Sequence, residues 1–160
     1  MTTLRVVSLL GATLTMGLVT GAFALYAHAI MPGLKTTDDR TFVAAFQSID
    51  RAIINPWFML TGFLGALVLT AAAAALNLGE DVFPWVLAAL VAYVIVFVIT
   101  IAVNVPLNDT LKAAGSADPA SAREAFHEAR WAAFNLVRVV LSTGAFAALA
   151  WALVVHGQSR

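Results

Sequence analysis

The sequence predicts an all-α fold, an integral membrane four-helix bundle in which the chain runs up, down, up and down. The first observation is composition, because 61% of the 160 residues are hydrophobic and only 11% are charged, whereas about a quarter of a soluble domain is charged. The second is that the apolar residues form four runs, each near the ~20 residues that a membrane-spanning helix needs. The third is that breakers and polar segments separate these runs, so that consecutive helices are antiparallel. We therefore expect one four-helix domain over residues 1–160.

The first span is expected at about residues 6–28. It contains Gly17 and Gly21, which would let a neighbouring helix approach closely. A cleavable signal peptide is the alternative, since Arg5 precedes the run and the Ala-His-Ala sequence at 27–29 resembles a cleavage site. The apolar region of a signal peptide is only ~7–15 residues long, and this run is much longer. We therefore expect a retained helix.

The second and third spans are expected at about residues 56–77 and 83–103. Asn55 can cap the second span, and proline at position 56 suits the first helical turn. A short turn between the two spans makes them a hairpin. Pro106 lacks an N–H and disfavours helix in the residue before it, so it is expected to end the third span.

Two polar segments, 32–55 and 104–129, would lie on the same side of this bundle. In the first, apolar residues recur at helical spacing after an N-cap at Asp38 or Asp39. This pattern predicts a short amphipathic helix between spans 1 and 2.

The fourth helix is expected to start at Asp118-Pro119, an acidic N-cap followed by proline at the first helical position. No breaker follows before about His156, so the helix would be about 37 residues, or ~55 Å, long. It would span the membrane at 130–155 and extend out of it at its beginning. Steps of four, four, three and four would place five residues on one face of this helix: His127, Trp131, Asn135, Arg138 and Ser142.

Arg138 is the most informative member of that stripe. A charge at membrane depth is costly and by default suggests a functional site. Asp50 and Asp109 are the candidate counter-ions, with the side-chain oxygens of Asn104 and Asn108 as neutral partners. The alternative is that the long side chain snorkels to water or pairs structurally with the loops.

Almost all groups with obvious chemistry lie at one end of the predicted bundle, which indicates one polar pocket in its mouth. They are His28, Gln47, Asp50, Arg51, Asn104, Asn108, His127, Asn135 and Arg138. For Asn104 and Asn108, helix capping is the ordinary alternative to a role in the pocket. Two histidines without fixed spacing are too weak a pattern to predict a metal site, and no cofactor motif is present. We predict neither a metal nor a cofactor.

Charge distribution bears on partners and location. The formal net charge is zero, which predicts no nucleic-acid partner. Membrane lipid is the expected surrounding, and association of several copies is left open. The positive-inside rule predicts a cytoplasmic pocket side, in a bacterial plasma membrane, because most basic residues flank that side: Lys35, Arg40, Arg51, Lys112, Arg123 and Arg130.

Four motifs resemble those of the anthrone oxygenase-like family of small four-span membrane proteins, and together they cover nearly the whole chain. They are Met31-Pro32-Gly33-Leu34, Phe46-Gln47-x-x-Asp50-x-x-Ile53-x-Asn55-Pro56, Asn104-x-Pro106-x-Asn108 and Trp131-x-x-x-Asn135-x-x-Arg138. Fungal members of this family oxidise an anthrone to an anthraquinone without a bound metal or flavin. Most bacterial members have no assigned activity.

The resemblance implies a planar phenolic ketone as substrate and dioxygen as oxidant. It implies an oxyanion stabilised by oriented donors, chiefly Arg138 and Asn135, and a base, His127 or Asp50. The implied substrate-binding residues are Asn104, Asn108, Trp131, Gln47 and His28. A non-catalytic lipid- or small-molecule-binding protein, or a partner subunit, is the alternative. A transporter is disfavoured, because charged residues are not scattered through several spans.

Overall fold

The computed structural model describes residues 2–113 and 118–158 of the chain. Within these ranges every regular element is helical. Four helices are long and apolar enough to cross a membrane: Thr3–Lys35, Phe58–Leu76, Phe83–Ala113 and Glu128–Gln158, called spans 1 to 4 below. The predicted all-α four-helix architecture is therefore confirmed. The side of the membrane that each end faces stays a prediction.

The elements follow one another as eight α-helices and three π-helical segments. They are α1 (Thr2–Leu25), a π segment (Tyr26–Ile30), α2 (Met31–Lys35), α3 (Asp39–Ile53), a π segment (Phe58–Phe63), α4 (Leu64–Leu76), α5 (Phe83–Ile99), a π segment (Thr100–Asn104), α6 (Val105–Ala113), α7 (Pro119–Phe126) and α8 (Glu128–Gln158). In the bundle, α1 packs against α4 and α8, and α5 packs against the same two helices. The four spans therefore form a closed ring in chain order.

Two apolar clusters divide the molecule along its length. One fills the half that contains the turn between α4 and α5, with fully buried side chains such as Leu9, Met16, Tyr93 and Leu149. The other lies at the opposite end and is mostly aromatic, with Phe42, Phe46, Phe126 and Trp131 among its members. Packing therefore closes one end of the bundle, while the polar segments cover the other.

The cover at that end consists of α3 and α7. Asp38 caps α3 by accepting a hydrogen bond from the Thr41 N–H at 3.0 Å, and the hydrogen bonds from Thr41 lower the pKa of this exposed carboxyl below its usual value. Arg123 of α7 binds the Asp39 carboxylate at 3.0 Å and lies 4.2 Å from the Phe42 ring centroid. These contacts fix the amphipathic helix over the mouth of the bundle.

Spans 1 and 3 both continue through a proline, Pro32 in span 1 and Pro106 in span 3. In each span the residue before proline closes a five-residue π turn: Met31 N–H bonds to Tyr26 O, and Val105 N–H bonds to Thr100 O. Proline normally breaks a helix because it lacks an N–H and its ring clashes with the carbonyl four residues back. The wider π turn places that carbonyl differently, so the helix continues. The expectation that Pro106 ends span 3 was wrong for this reason.

The fourth helix is long, but it does not begin at Asp118. His127 interrupts it with φ 50° and ψ 59°, the left-handed conformation, and ends α7 as its C-cap. Among the described residues it is the only one other than glycine with positive φ. Its carbonyl then accepts hydrogen bonds from Arg130 and Trp131 at the start of α8. The prediction that His127 shares a helix face with Trp131 and Arg138 was therefore wrong.

This interruption predicts how substitutions at residue 127 affect stability. His127→Val should lower the free energy of unfolding by about 1–2 kcal/mol, because a β-branched side chain is strained at positive φ. His127→Gly should leave it unchanged or raise it, since glycine adopts this conformation freely. Thermal unfolding in detergent measures both effects. Ala129→Gly, two residues on in α8, is the control and should destabilise by about 0.5–1 kcal/mol. If His127→Gly instead destabilised the protein as much as Ala129→Gly does, residue 127 would belong to an unbroken helix and this explanation would be wrong.

Candidate functional site

A cavity of about 350 Å³ lies between the four spans at the covered end of the bundle, with α3 over it. Its wall is mainly aromatic and aliphatic. Polar side chains reach it at a few points: Tyr26, Asp50, Thr100, Asn108 and Arg138. The cavity lies in the bundle mouth, where a polar pocket was expected, and its residues come from every span and from α3.

Each π segment contributes to the wall of this cavity. Tyr26 comes from the first, Phe58 and Phe63 from the second, and Thr100 and Ile101 from the third. A π turn widens a helix locally and is frequent at functional sites. Three of the four spans are therefore irregular where they line the cavity, while span 4 lines it from a regular α-helix.

Arg138 is buried in this wall, with 5% of its surface exposed. Its Nη1 donates to Thr100 Oγ1 at 3.2 Å, and its Nη2 donates to Asn135 Oδ1 at 2.8 Å. The guanidinium carbon lies 4.4 Å from the ring centroid of Phe23 and 5.6 Å from that of Trp131. Its Nε has no hydrogen-bond partner in the described part of the chain. The alternative that this side chain snorkels to water is therefore excluded by its burial.

The expected counter-ions of Arg138 bind another cation. Asp50 and Asp109 both pair with Lys112, at 3.2 and 2.8 Å, and no described carboxylate forms an ion pair with Arg138. Neutral oxygens and aromatic rings surround the guanidinium instead. The prediction of a carboxylate partner was wrong, because α6 places Lys112 close to both acids.

Asn135 and Asn104 form hydrogen bonds between spans and do not line the cavity. Asn135 Nδ2 donates to the Phe23 carbonyl at 3.1 Å, and Asn104 Nδ2 donates to the Trp131 carbonyl at 3.3 Å. Each is only 1% exposed, and neither belongs to the cavity wall. Their amide groups connect spans to one another, whereas the resemblance implied that they face a ligand.

Asp50 is the buried acid of the cavity, with 4% of its surface exposed. Its Oδ1 accepts from Asn108 Nδ2 at 2.7 Å, and Asn108 Oδ1 accepts from Trp131 Nε1 at 2.7 Å. Its Oδ2 forms an ion pair with Lys112 Nζ at 3.2 Å. One carboxylate oxygen is thus held by an amide group and the other by an ammonium group.

Sequence reasoning missed three polar residues of this site, Lys112, Tyr26 and Thr100. Lys112 is four residues after Asn108 and therefore on the same face of α6, which would have been visible had the helix been predicted to continue past Pro106. Tyr26 lines the cavity, and its ring centroid is 5.5 Å from that of Trp131. No sequence signal separates this tyrosine from an ordinary interfacial one.

Besides Asn104 and Asn135, three more predicted site residues lie outside the cavity wall. Gln47 donates from Nε2 to the Leu111 carbonyl at 2.9 Å and so joins α3 to α6. His28 and His127 are both exposed, in the first π segment and at the junction of α7 and α8. In the part of the chain that the structure describes, no group of three or more His, Cys, Asp or Glu residues is arranged to hold a metal ion.

Comparison with known proteins decides the family. A family model described as anthrone oxygenase matches residues 51–148, which is more than half of the chain. The protein belongs to the anthrone oxygenase family. No curated protein and no solved structure matched it.

The match covers most of the residues that form the site, among them Asn108, Lys112, Trp131 and Arg138, and it starts one residue after Asp50. The resemblance inferred from the four motifs is confirmed at the level of the family. Because function depends on the site and not on the fold, the reaction itself is argued separately below.

The contacts of Asn135 predict a stability effect. Asn135→Ala should lower the free energy of unfolding by about 1–3 kcal/mol, because a buried guanidinium N–H and the Phe23 carbonyl both lose their partner. Leu136→Ala is the matched control, since Leu136 is 56% exposed and its truncation should change stability by less than about 0.5 kcal/mol. Thermal unfolding in detergent compares the two. Equal effects would show that the amide of Asn135 does not support Arg138.

Proposed function

We propose that this protein oxidises a planar phenolic polycyclic ketone of the anthrone class with dioxygen, in the cavity at the covered end of the bundle. The observation that carries the proposal is a buried carboxylate and a buried guanidinium in one apolar wall. Asp50 and Arg138 are 4% and 5% exposed, and both line the same cavity. A ligand with one acidic C–H or O–H and one carbonyl oxygen would interact with both.

The shape and chemistry of the wall support an aromatic ligand. Phe23, Phe58, Phe97 and Trp131 line a cavity of about 350 Å³, at the lower end of the range of small-molecule sites. Aromatic faces favour offset stacking on a flat ring system. A ligand of fused rings would therefore match this wall better than a ligand with a flexible acyl chain.

In the proposed first step, Asp50 removes a proton from the methylene carbon between the aromatic rings of the substrate. The negative charge that develops moves to the ketone oxygen, where the Arg138 guanidinium stabilises it. Donors held in a dry site are effective because they need no rearrangement during the reaction. A carboxylate is an adequate base here, since aromatisation makes this C–H acidic.

The electron-rich carbon then reacts with dioxygen, and a C–O bond forms. The peroxide anion takes back the proton from Asp50. Loss of the second methylene proton to Asp50 breaks the O–O bond, and the departing hydroxide takes that proton as water. One oxygen atom enters the new carbonyl and the other leaves as water, so the methylene carbon loses four electrons and dioxygen gains four.

A lateral opening supports a substrate that dissolves in the bilayer. The residues of the wall that remain exposed are apolar: Ile54 at 57%, Ile101 at 54% and Val105 at 40%. Ile101 follows Thr100, which lies ~26 Å along span 3 from Phe83 by helix rise and so within the ~30 Å of a hydrocarbon core. The π segment of span 2 packs on α1 and that of span 3 on α8. The cavity is thus least enclosed between spans 2 and 3.

Activity in detergent or lipid tests the reaction. Wild-type protein given an anthrone under air should form the quinone faster than the spontaneous rate, and Asp50→Asn should lose about 10²–10⁴-fold of that gain, as expected for a general base. Arg138→Gln should lose a comparable part, since it removes the charge that stabilises the oxyanion.

Arg51→Gln is the matched control for this test, because Arg51 is the exposed neighbour of Asp50 and should retain activity. If the quinone formed at the same rate with wild type, with either site variant and without protein, the proposed oxidation would be refuted. Tight binding of the ketone without turnover would instead favour a non-catalytic small-molecule-binding protein.

Access from the bilayer can be tested by narrowing the opening. Ile101→Trp should reduce kcat/KM several-fold for a ketone dissolved in proteoliposomes, because the larger side chain obstructs the space between spans 2 and 3. Ile101→Ala should not reduce it. Val98→Trp is the control, since Val98 is 57% exposed on the same span but is not part of the wall. Equal loss in both tryptophan variants would contradict a lateral entrance.

A further inference from the structure

We infer that Lys112 is a positioning residue, which keeps Asp50 ionised and holds its carboxylate in place in the cavity wall. The inference rests on the proposed function in one respect, that Asp50 is the base. It concerns a residue on α6 that does not line the cavity and that the four family motifs do not include. Its basis is the set of contacts around the carboxylate.

Asp50 has two different environments at its two oxygens. Asn108 donates to Oδ1 at 2.7 Å, and Asn108 is itself oriented by the Trp131 Nε1 donor at 2.7 Å. Lys112 Nζ lies 3.2 Å from Oδ2 and supplies the charge that opposes the carboxylate. Contacts at both oxygens therefore fix the orientation of the carboxylate.

Burial makes the charge of Lys112 necessary. Asp50 is 4% exposed in a largely apolar wall, where a carboxylate without a cation favours its neutral form. The other groups near it do not replace the ammonium. Asn108 is neutral, Tyr26 is a phenol that interacts electrostatically with Asp50, and Arg138 forms no ion pair with it.

Lys112 is itself placed to remain charged. Its side chain is 32% exposed, and Asp109 Oδ1 binds its Nζ at 2.8 Å on the solvent side. Asp109 is one turn earlier on α6 and is 59% exposed, so it can hold the ammonium without blocking Asp50. The lysine thus connects a solvated acid to a buried one.

Infrared spectroscopy tests this role without any substrate. At neutral pH, Lys112→Met should show the C=O stretch of a protonated carboxyl group, whereas wild type and Lys112→Arg should not. The double variant Lys112→Met with Asp50→Asn should lose that band, which assigns it to Asp50. A Lys112→Met spectrum without the band, or a wild-type spectrum with it, would overturn the inference. Lys112→Gln serves in the same way if the methionine variant does not fold.

Kinetics then separate positioning from a merely structural role. Lys112→Met should lower kcat about 10–100-fold at neutral pH with little change in KM, because the base is neutral while the rest of the wall is intact. The rate should recover as pH rises, and Lys112→Arg should restore it. Lys35→Met, an exposed lysine of α2, is the control and should keep wild-type rates. A loss of kcat that neither pH nor arginine rescues would refute the positioning role.

The two possible failures are distinguishable. If wild-type protein oxidises no phenolic ketone, the proposed function fails, while the infrared spectra still decide whether Lys112 ionises Asp50. If the protein is active and the spectra of wild type and Lys112→Met agree, the reaction stands and the role of Lys112 is refuted.

Discussion

The burial of a guanidinium among neutral partners is the constraint on which the site depends. Arginine cannot lose its charge in a protein, and an unpaired charge away from water is very costly. Thr100 on span 3 and Asn135 on span 4 supply acceptors, and Phe23 on span 1 supplies a ring face. Asn135 also binds the Phe23 carbonyl. Satisfying one side chain thus fixes the relative positions of three spans at the level of the cavity.

This arrangement explains why the two halves of the bundle differ. Where the spans carry only apolar and small residues, regular α-helices pack closely around side chains such as Leu9 and Tyr93. Where they carry prolines and polar side chains, π turns widen spans 1 and 3 before the proline, and the helices cannot pack as closely. The space that results is covered by α3 and lined by aromatic rings. In spans 1 and 3, helix irregularity and cavity therefore have one cause, the need to continue a membrane helix past a proline.

Sequence patterns sufficed for the spans, the amphipathic helix and the family, because each depends on hydropathy, spacing or short motifs. They failed where one local rule competed with another. Proline at 106 predicted a helix end, since nothing in the sequence distinguishes a proline compensated by a π turn from one that is not. His127 showed no signal for positive φ, which glycine or asparagine would have given. Lys112 was overlooked in consequence, because its relation to Asp50 appears only when α6 is continuous. Asn108 reaches the cavity and Asn104 does not. This difference depends on how span 3 is rotated about its own axis, which sequence patterns do not determine.

The separation of opposite charges is what distinguishes this cavity from a structural ion pair. Asp50 and Arg138 line one apolar wall, where Coulomb attraction is stronger than in water, and a direct contact between them would satisfy both. Each is instead held by partners of its own, Asn108 and Lys112 for the carboxylate, Thr100 and Asn135 for the guanidinium. Arg138 Nε has no hydrogen-bond partner in the described part of the chain as a result. A buried donor without a partner costs stability, and a ligand that accepts a hydrogen bond from this guanidinium would recover part of that cost on binding. A purely structural role for these residues would favour the direct ion pair, so their separation supports a site that a ligand completes.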